Sequence, residues 1–258
     1  MSDNPNFLLL SIGFFLIAAL YSSVGFGGGS SYLALLALYI PDFLQIKTAA
    51  LLCNLVVVST GSYIFFQEGL FDRKKFFPLA LCSVPAAFFG ATLHLTQKSF
   101  FIFLGCVLVL SGILLIAQLL IKTVEKPVVS NNSWLLNIGL GTSTGFLSGL
   151  VGIGGGILLS PILNLLKWDT AKRIAALASF FILVNSIAGL LGQVAGNNFH
   201  VEFPLLLILL IAVFLGGQLG TRVSLRLLTP EVVRGLTGVL VSYIGVKLVL
   251  KYTLKIDI

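Results

Sequence analysis

The sequence predicts an all-α polytopic membrane protein made of two inverted repeats, each a glycine-broken helical hairpin plus three spanning helices. Three observations predict it. Of the 258 residues, 57% are hydrophobic and only 10% charged, whereas a soluble domain carries about 25% charged residues. The apolar residues gather into long runs, most of them near the ~20 residues that a helix needs to cross a bilayer. Two runs are short, and each directly follows a cluster of glycines.

The runs lie at roughly 7–24, 30–40, 44–66, 76–95, 100–121, 133–151, 157–166, 174–195, 203–221 and 232–250. Too much apolar surface is present for a water-soluble fold to hide, so lipid must solvate much of the chain. The short runs 30–40 and 157–166 reach about half the hydrocarbon thickness at ~1.5 Å per residue. Residues 1–6 contain no Lys or Arg, so the basic start of a cleaved signal peptide is missing and the first run is expected to remain.

A net charge of +7 would suit a nucleic-acid binder. The Lys and Arg residues instead occupy short gaps between apolar runs, where such charges orient a membrane protein. Cys53, Cys82 and Cys106 fall inside apolar runs, as small packing residues do. Three scattered cysteines and two histidines offer neither zinc spacing nor a disulfide framework. No catalytic constellation, metal site or cofactor is expected, and the chain does not read as an enzyme.

The repeat is visible directly. Residues 23–29 (SVGFGGG) match 150–156 (LVGIGGG) at an offset of 127. Lys47 to Ala50 match Arg173 to Ala176 at 126, as do Gln67 with Gln193, Pro78 with Pro204 and Gly90 with Gly216. Gly105 and Gly112 fall on Gly238 and Gly245 at 133. Ordered matches of Gly, Pro and Gln divide the chain into repeats 1–126 and 127–258, with the join near 122–132.

Charge asymmetry sets the orientation. If each glycine-broken unit crosses once, the positive residues divide evenly, eight and eight. If each unit is a hairpin, eleven fall on the cytoplasmic side: Arg73, Lys74, Lys75, Lys122, Lys126, Lys167, Lys172, Arg173, Arg222, Arg226 and Arg234. Five stay outside: Lys47, Lys98, Lys247, Lys251 and Lys255. The hairpin reading is the better one. A hairpin plus three crossings makes the halves inverted, with both termini outside.

Glycines inside a membrane segment break the helix and expose backbone groups, which is tolerated only where protein or a water-filled cavity covers them. The bared N–H groups and the positive end of the following half-helix form an anion site. Such breaks at matching places in inverted halves point to a transporter's substrate site. Tight helix packing is the plainer reading of any one glycine cluster. The expected ligands are Gly25, Gly27, Gly28, Gly29, Ser30 and Ser31 in the first half and Gly152, Gly154, Gly155, Gly156 and Ser160 in the second. Asn54 and Asn185, in the helices that follow, can donate to an oxyanion or join helices. Lys47 and Arg173 begin equivalent helices, where they either snorkel or steer an anion at each mouth. Gln67 and Gln193 are read as helix–helix or interfacial residues, and His94 and His200 as interfacial.

On Gly25-Phe26-Gly27-Gly28-Gly29 and Gly152-Ile153-Gly154-Gly155-Gly156-Ile157-Leu158-Leu159-Ser160-Pro161, the chain resembles the TauE/SafE family of sulfite exporters, also called the toluene sulfonate uptake permease family. One departure is that Ser30-Ser31, without proline, follows the first cluster. The resemblance implies a multi-pass protein of the bacterial inner membrane that moves a sulfur-containing anion such as sulfite or an organosulfonate. The residues alone support a secondary transporter with an anion-compatible site, or an anion channel with the same broken helices. The partners expected are a small anion and the lipid bilayer, a homodimer being allowed for, and no nucleic acid.

Overall fold

The computed structural model describes residues 7–22, 25–119, 134–223 and 230–254. The expected join, Lys122, Lys126, Arg226 and Lys255 lie outside them, as does the side chain of Arg222. Ten helices and no strands make up the described residues: α1 Phe7–Ser22, α2 Gly29–Tyr39, α3 Phe43–Gln67, α4 Arg73–Thr92, α5 Gln97–Leu119, α6 Trp134–Val151, α7 Gly156–Leu165, α8 Ala171–Ala195, α9 Phe203–Val223 and α10 Pro230–Leu254. Each corresponds to one of the ten apolar runs. Helices α3, α4, α5, α8, α9 and α10 are long and apolar enough to cross a membrane.

The breaks produce hairpins. The rings of Phe14 on α1 and Tyr32 on α2 stack at 4.6 Å between centroids. A Cβ on Gly13 would sit 2.8 Å from Leu35, and one on Gly28 would sit 3.1 Å from Ile17. Later residues of α2 therefore lie against earlier residues of α1, so the chain turns back. In the second half, Gly155 abuts Thr144 and Ser148 of α6. Beyond the end of α7, Trp168 Nε1 donates to Asn137 Oδ1 near the start of α6, at 3.3 Å. Here too the second leg returns along the first.

Matching helices of the two halves run antiparallel against each other. Thr48 on α3 donates to Gln193 Oε1 on α8 at 2.6 Å. Further along, the hydroxyls of Ser62 and Ser179 are 3.1 Å apart. Helices α5 and α10 pair likewise, with Gly105 facing Gly245 and Gly112 facing Gly238. The hairpins cross over: α1 lies along α9, and α6 lies along α4. Gly141, Gly145 and Gly149 bring α6 onto the carbonyls of Leu79, Ser83 and Ala87. Gly216 and Gly220 bring α9 onto those of Phe15 and Ala19. Small residues at four-residue spacing let membrane helices approach through their backbones. For these glycines, close packing is the whole explanation.

Polar residues start the long helices. Asp42 caps α3, accepting from the amides of Leu44 at 3.0 Å and Gln45 at 3.4 Å. Asp72 caps α4 in the same way through Lys74 and Lys75. Each cap satisfies amides that a helix leaves unpaired at its N-terminus.

Candidate anion site at the crossing of the two glycine breaks

Both breaks end on the same geometry. The last residue before α2 is Gly28, with φ +85°, and the last before α7 is Gly155, with φ +80°. Each is left-handed, a conformation costly for residues with a Cβ. A side chain has no room at either: a Cβ on Gly28 would lie 2.9 Å from the Tyr32 ring, and one on Gly155 2.9 Å from Phe181. The first helical bond of α2 runs from the Tyr32 amide to Gly28 C=O at 3.0 Å. In α7 the amides of Leu158 and Leu159 turn back to Gly155 C=O, both at 3.1 Å. The amides just ahead of these bonds are the donors a helix N-terminus presents.

The two breaks meet at Asn54. This residue lies near the middle of α3 and is fully buried. A Cβ on Gly27 would lie 2.5 Å from its Oδ1, and one on Gly29 would collide with its Nδ2. From the other half, a Cβ on Gly154 would lie 2.9 Å from the same Nδ2. That nitrogen donates to Ile153 C=O at 3.4 Å. One amide thus touches Gly27 and Gly29 of the first break and Ile153 and Gly154 of the second. Two half-helix N-termini, each carrying roughly +0.5 charge, approach one buried place.

Several buried polar atoms around this crossing make no hydrogen bond: Asn54 Oδ1, Tyr32 OH, Ser148 Oγ, Ser186 Oγ and Asn185 Oδ1. Buried polar groups are normally satisfied, so a cluster of them beside two helix N-termini is a place for a polar ligand. Ser186 sits 3.3 Å from where a Gly154 Cβ would be. Tyr32, Ser148 and Ser186 were not among the residues expected from sequence. Ser148 and Tyr32 each stand within a few residues of a glycine cluster, and that proximity was the available signal.

The other expected residues divide. Ser30, Ser31 and Ser160 are buried, each 1% exposed. Ser31 shares a 2.5 Å hydrogen bond with Tyr21 OH. Ser160 is 3.4 Å from Asn164 Nδ2, within its own helix. Asn185 Nδ2 bonds Phe181 C=O of its own helix at 2.8 Å. Gly156 packs on Ile182, and Gly25 on Phe65 and Ala175, the latter at the start of α8. Gly152 packs on Lys47, at the start of α3.

The paired candidates turn out unlike. Lys47 is buried at 3% exposure. The Arg173 side chain is 42% exposed and lies 3.8 Å from Asp169 Oδ2. Asp169 also accepts a 2.7 Å bond from Lys75 of α4. Gln193 is buried on Thr48, whereas Gln67 is exposed and bonds the Tyr63 hydroxyl at 2.8 Å. His200 pairs with the capping Asp42, and Glu202 accepts from Gln45 at 2.8 Å.

The family model of the sulfite exporter TauE/SafE matches residues 9–248. The chain belongs to the TauE/SafE family. Among curated relatives, a probable membrane transporter protein of Sinorhizobium fredii is 35% identical over 240 residues, covering 93% of this chain and 96% of that protein. A probable membrane transporter protein of Methanocaldococcus jannaschii is 28% identical, covering 94% and 95%. Another, from Bacillus subtilis, is 23% identical, covering 95% and 97%. No solved structure matches the chain. TauE/SafE members are membrane transporters and not enzymes. This chain is accordingly a membrane transporter protein.

Proposed function

We propose that this TauE/SafE member is a secondary transporter that exports a small sulfur-containing anion, such as sulfite or an organosulfonate, across a bacterial inner membrane. Transport proceeds by alternating access between two inverted halves. The observation that carries the reading is the convergence of both breaks on Asn54, among buried polar atoms without partners. Amide N–H groups from two half-helices, with the unpartnered hydroxyls of Tyr32, Ser148 and Ser186, suit an oxyanion because they donate without bringing a full positive charge, while Asn54, whose Nδ2 is held by Ile153 C=O, ties the two breaks together. The antiparallel pairing of α3 with α8 and of α5 with α10 supports inversion.

The two ends of the bundle also differ. Where α3 begins, Lys47, Thr48 and Gln193 are buried together. Where α8 begins, a cleft of about 280 Å³ opens between residues 69–74 and Arg173.

The test is flux in proteoliposomes. Gly28→Val and Gly155→Val should each abolish sulfite flux while leaving the protein folded in the membrane, and unchanged flux would remove the site. Flux that saturates and follows an imposed ion gradient separates a transporter from a channel. Labelling of cysteines engineered at both termini should place both outside, and a cytoplasmic N-terminus would overturn the inverted hairpin arrangement.

A further inference from the structure

We infer that Lys47 supplies the counter-charge for the transported anion, as a substrate-binding residue, while its sequence counterpart Arg173 serves only to hold Asp169. The inference rests on the anion-site reading above and deepens it. Lys47 lies in the second turn of α3 and is 3% exposed. Its stem runs against the second glycine break: a Cβ on Gly152 would lie 2.6 Å from Lys47 Cγ. Gly152 is the residue at which α6 gives way to that break, with φ +88°. The cation therefore stands beside the same loop that, two residues later, touches Asn54.

Among the described residues Lys47 has neither an ion pair nor a hydrogen bond. The acids at this end of the bundle are otherwise engaged. Asp42 caps α3 and pairs with His200, and Glu202 accepts from Gln45. The neighbouring Thr48 is committed to Leu44 C=O and Gln193. The ammonium keeps a sliver of accessible surface, and a cation so nearly buried without a partner is unfavourable and persists where it has work to do. Arg173 shows the opposite arrangement, half-exposed and beside a buried carboxylate that Lys75 shares. An anion held by backbone amides at the crossing brings the one charge that Lys47 lacks. The competing explanation is that Lys47 only stabilises the negative C-terminal end of α6.

These explanations separate on two readouts measured together on purified protein, with sulfite, thiosulfate and methanesulfonate as probes. Lys47→Met keeps the stem and removes the charge. It should weaken anion binding at least about tenfold, the effect of losing one charge-assisted hydrogen bond, while the melting temperature stays level or rises. Lys47→Arg should recover much of the binding, and Arg173→Gln should bind as the wild type does. If Lys47→Met does not fold, Lys47→Gln takes its place with the same expectation. Wild-type affinity in the charge-free variant, or a lowered melting temperature with binding intact, would overturn the inference and leave the site standing. A wild-type protein that binds none of the three anions would remove the site reading and this inference with it.

Discussion

The starts of α3 and α8 carry matching residues, Lys47 to Ala50 and Arg173 to Ala176, and they are different places. Each begins a long helix of 25 residues. Each carries a cation at the matching position, Lys47 or Arg173, and an acid just ahead of the helix, Asp42 or Asp169. Around α8 the acid is buried and gathers both Lys75 and Arg173. Around α3 the acid turns outward to cap the helix and meet His200, leaving Lys47 buried and alone. Backbone geometry matches in the two places, because glycine breaks and helix lengths dictate it. Charge placement is not, because moving one carboxylate changes which cation is satisfied.

The comparison is broken most severely through what the halves share. Gly28→Val and Gly155→Val put a Cβ at equivalent left-handed positions with no room, and each should reduce liposome flux to background. If only one does, the breaks are not equivalent in function. Asn54→Ala comes next: it removes the amide that joins the two breaks, and flux or anion affinity should fall by about tenfold, corresponding to ~1.4 kcal/mol. Asn185→Ala should cost less, because its amide bonds only its own helix, whereas that of Asn54 reaches the other break.

The differing features should show in stability. Asp169→Asn removes a buried partner of two cations and should lower unfolding stability by about 2 kcal/mol in detergent melts. Asp42→Asn keeps a good helix cap and should cost only ~0.5 kcal/mol. Equal losses would mean that the two ends are electrostatically alike. The glutamine pair should differ as well. Gln193→Ala should cost about 0.6 kcal/mol, the usual worth of an interhelical hydrogen bond in a membrane protein, whereas Gln67→Ala should leave melting unchanged.

Much of this fold was legible in the sequence. All ten helices follow from apolar runs, because a membrane segment must be long and continuous to satisfy its backbone. Both hairpins follow from the short second legs. The crossed packing of α1 on α9 and α6 on α4 did not follow. In lipid the outer and inner sides of a helix are both apolar, so periodicity does not tell which side meets which neighbour. The convergence on Asn54 depends on that packing. A polar residue in an apolar helix marks Asn54 as noteworthy, but nothing local says that it serves both breaks. For the same reason Lys47 and Arg173 read as an equivalent pair. Their difference arises from Asp169, whose burial comes from α4 of the other half reaching across with Lys75.

The proposed transport cycle requires that the two breaks make one site and not two. Calorimetric titration of the purified protein with sulfite tests it most directly, in the wild type and in Gly28→Val and Gly155→Val singly. A single shared site gives one anion per chain, and loss of that binding when either break alone is blocked. Two anions per chain, or binding that survives in either single variant, would contradict it.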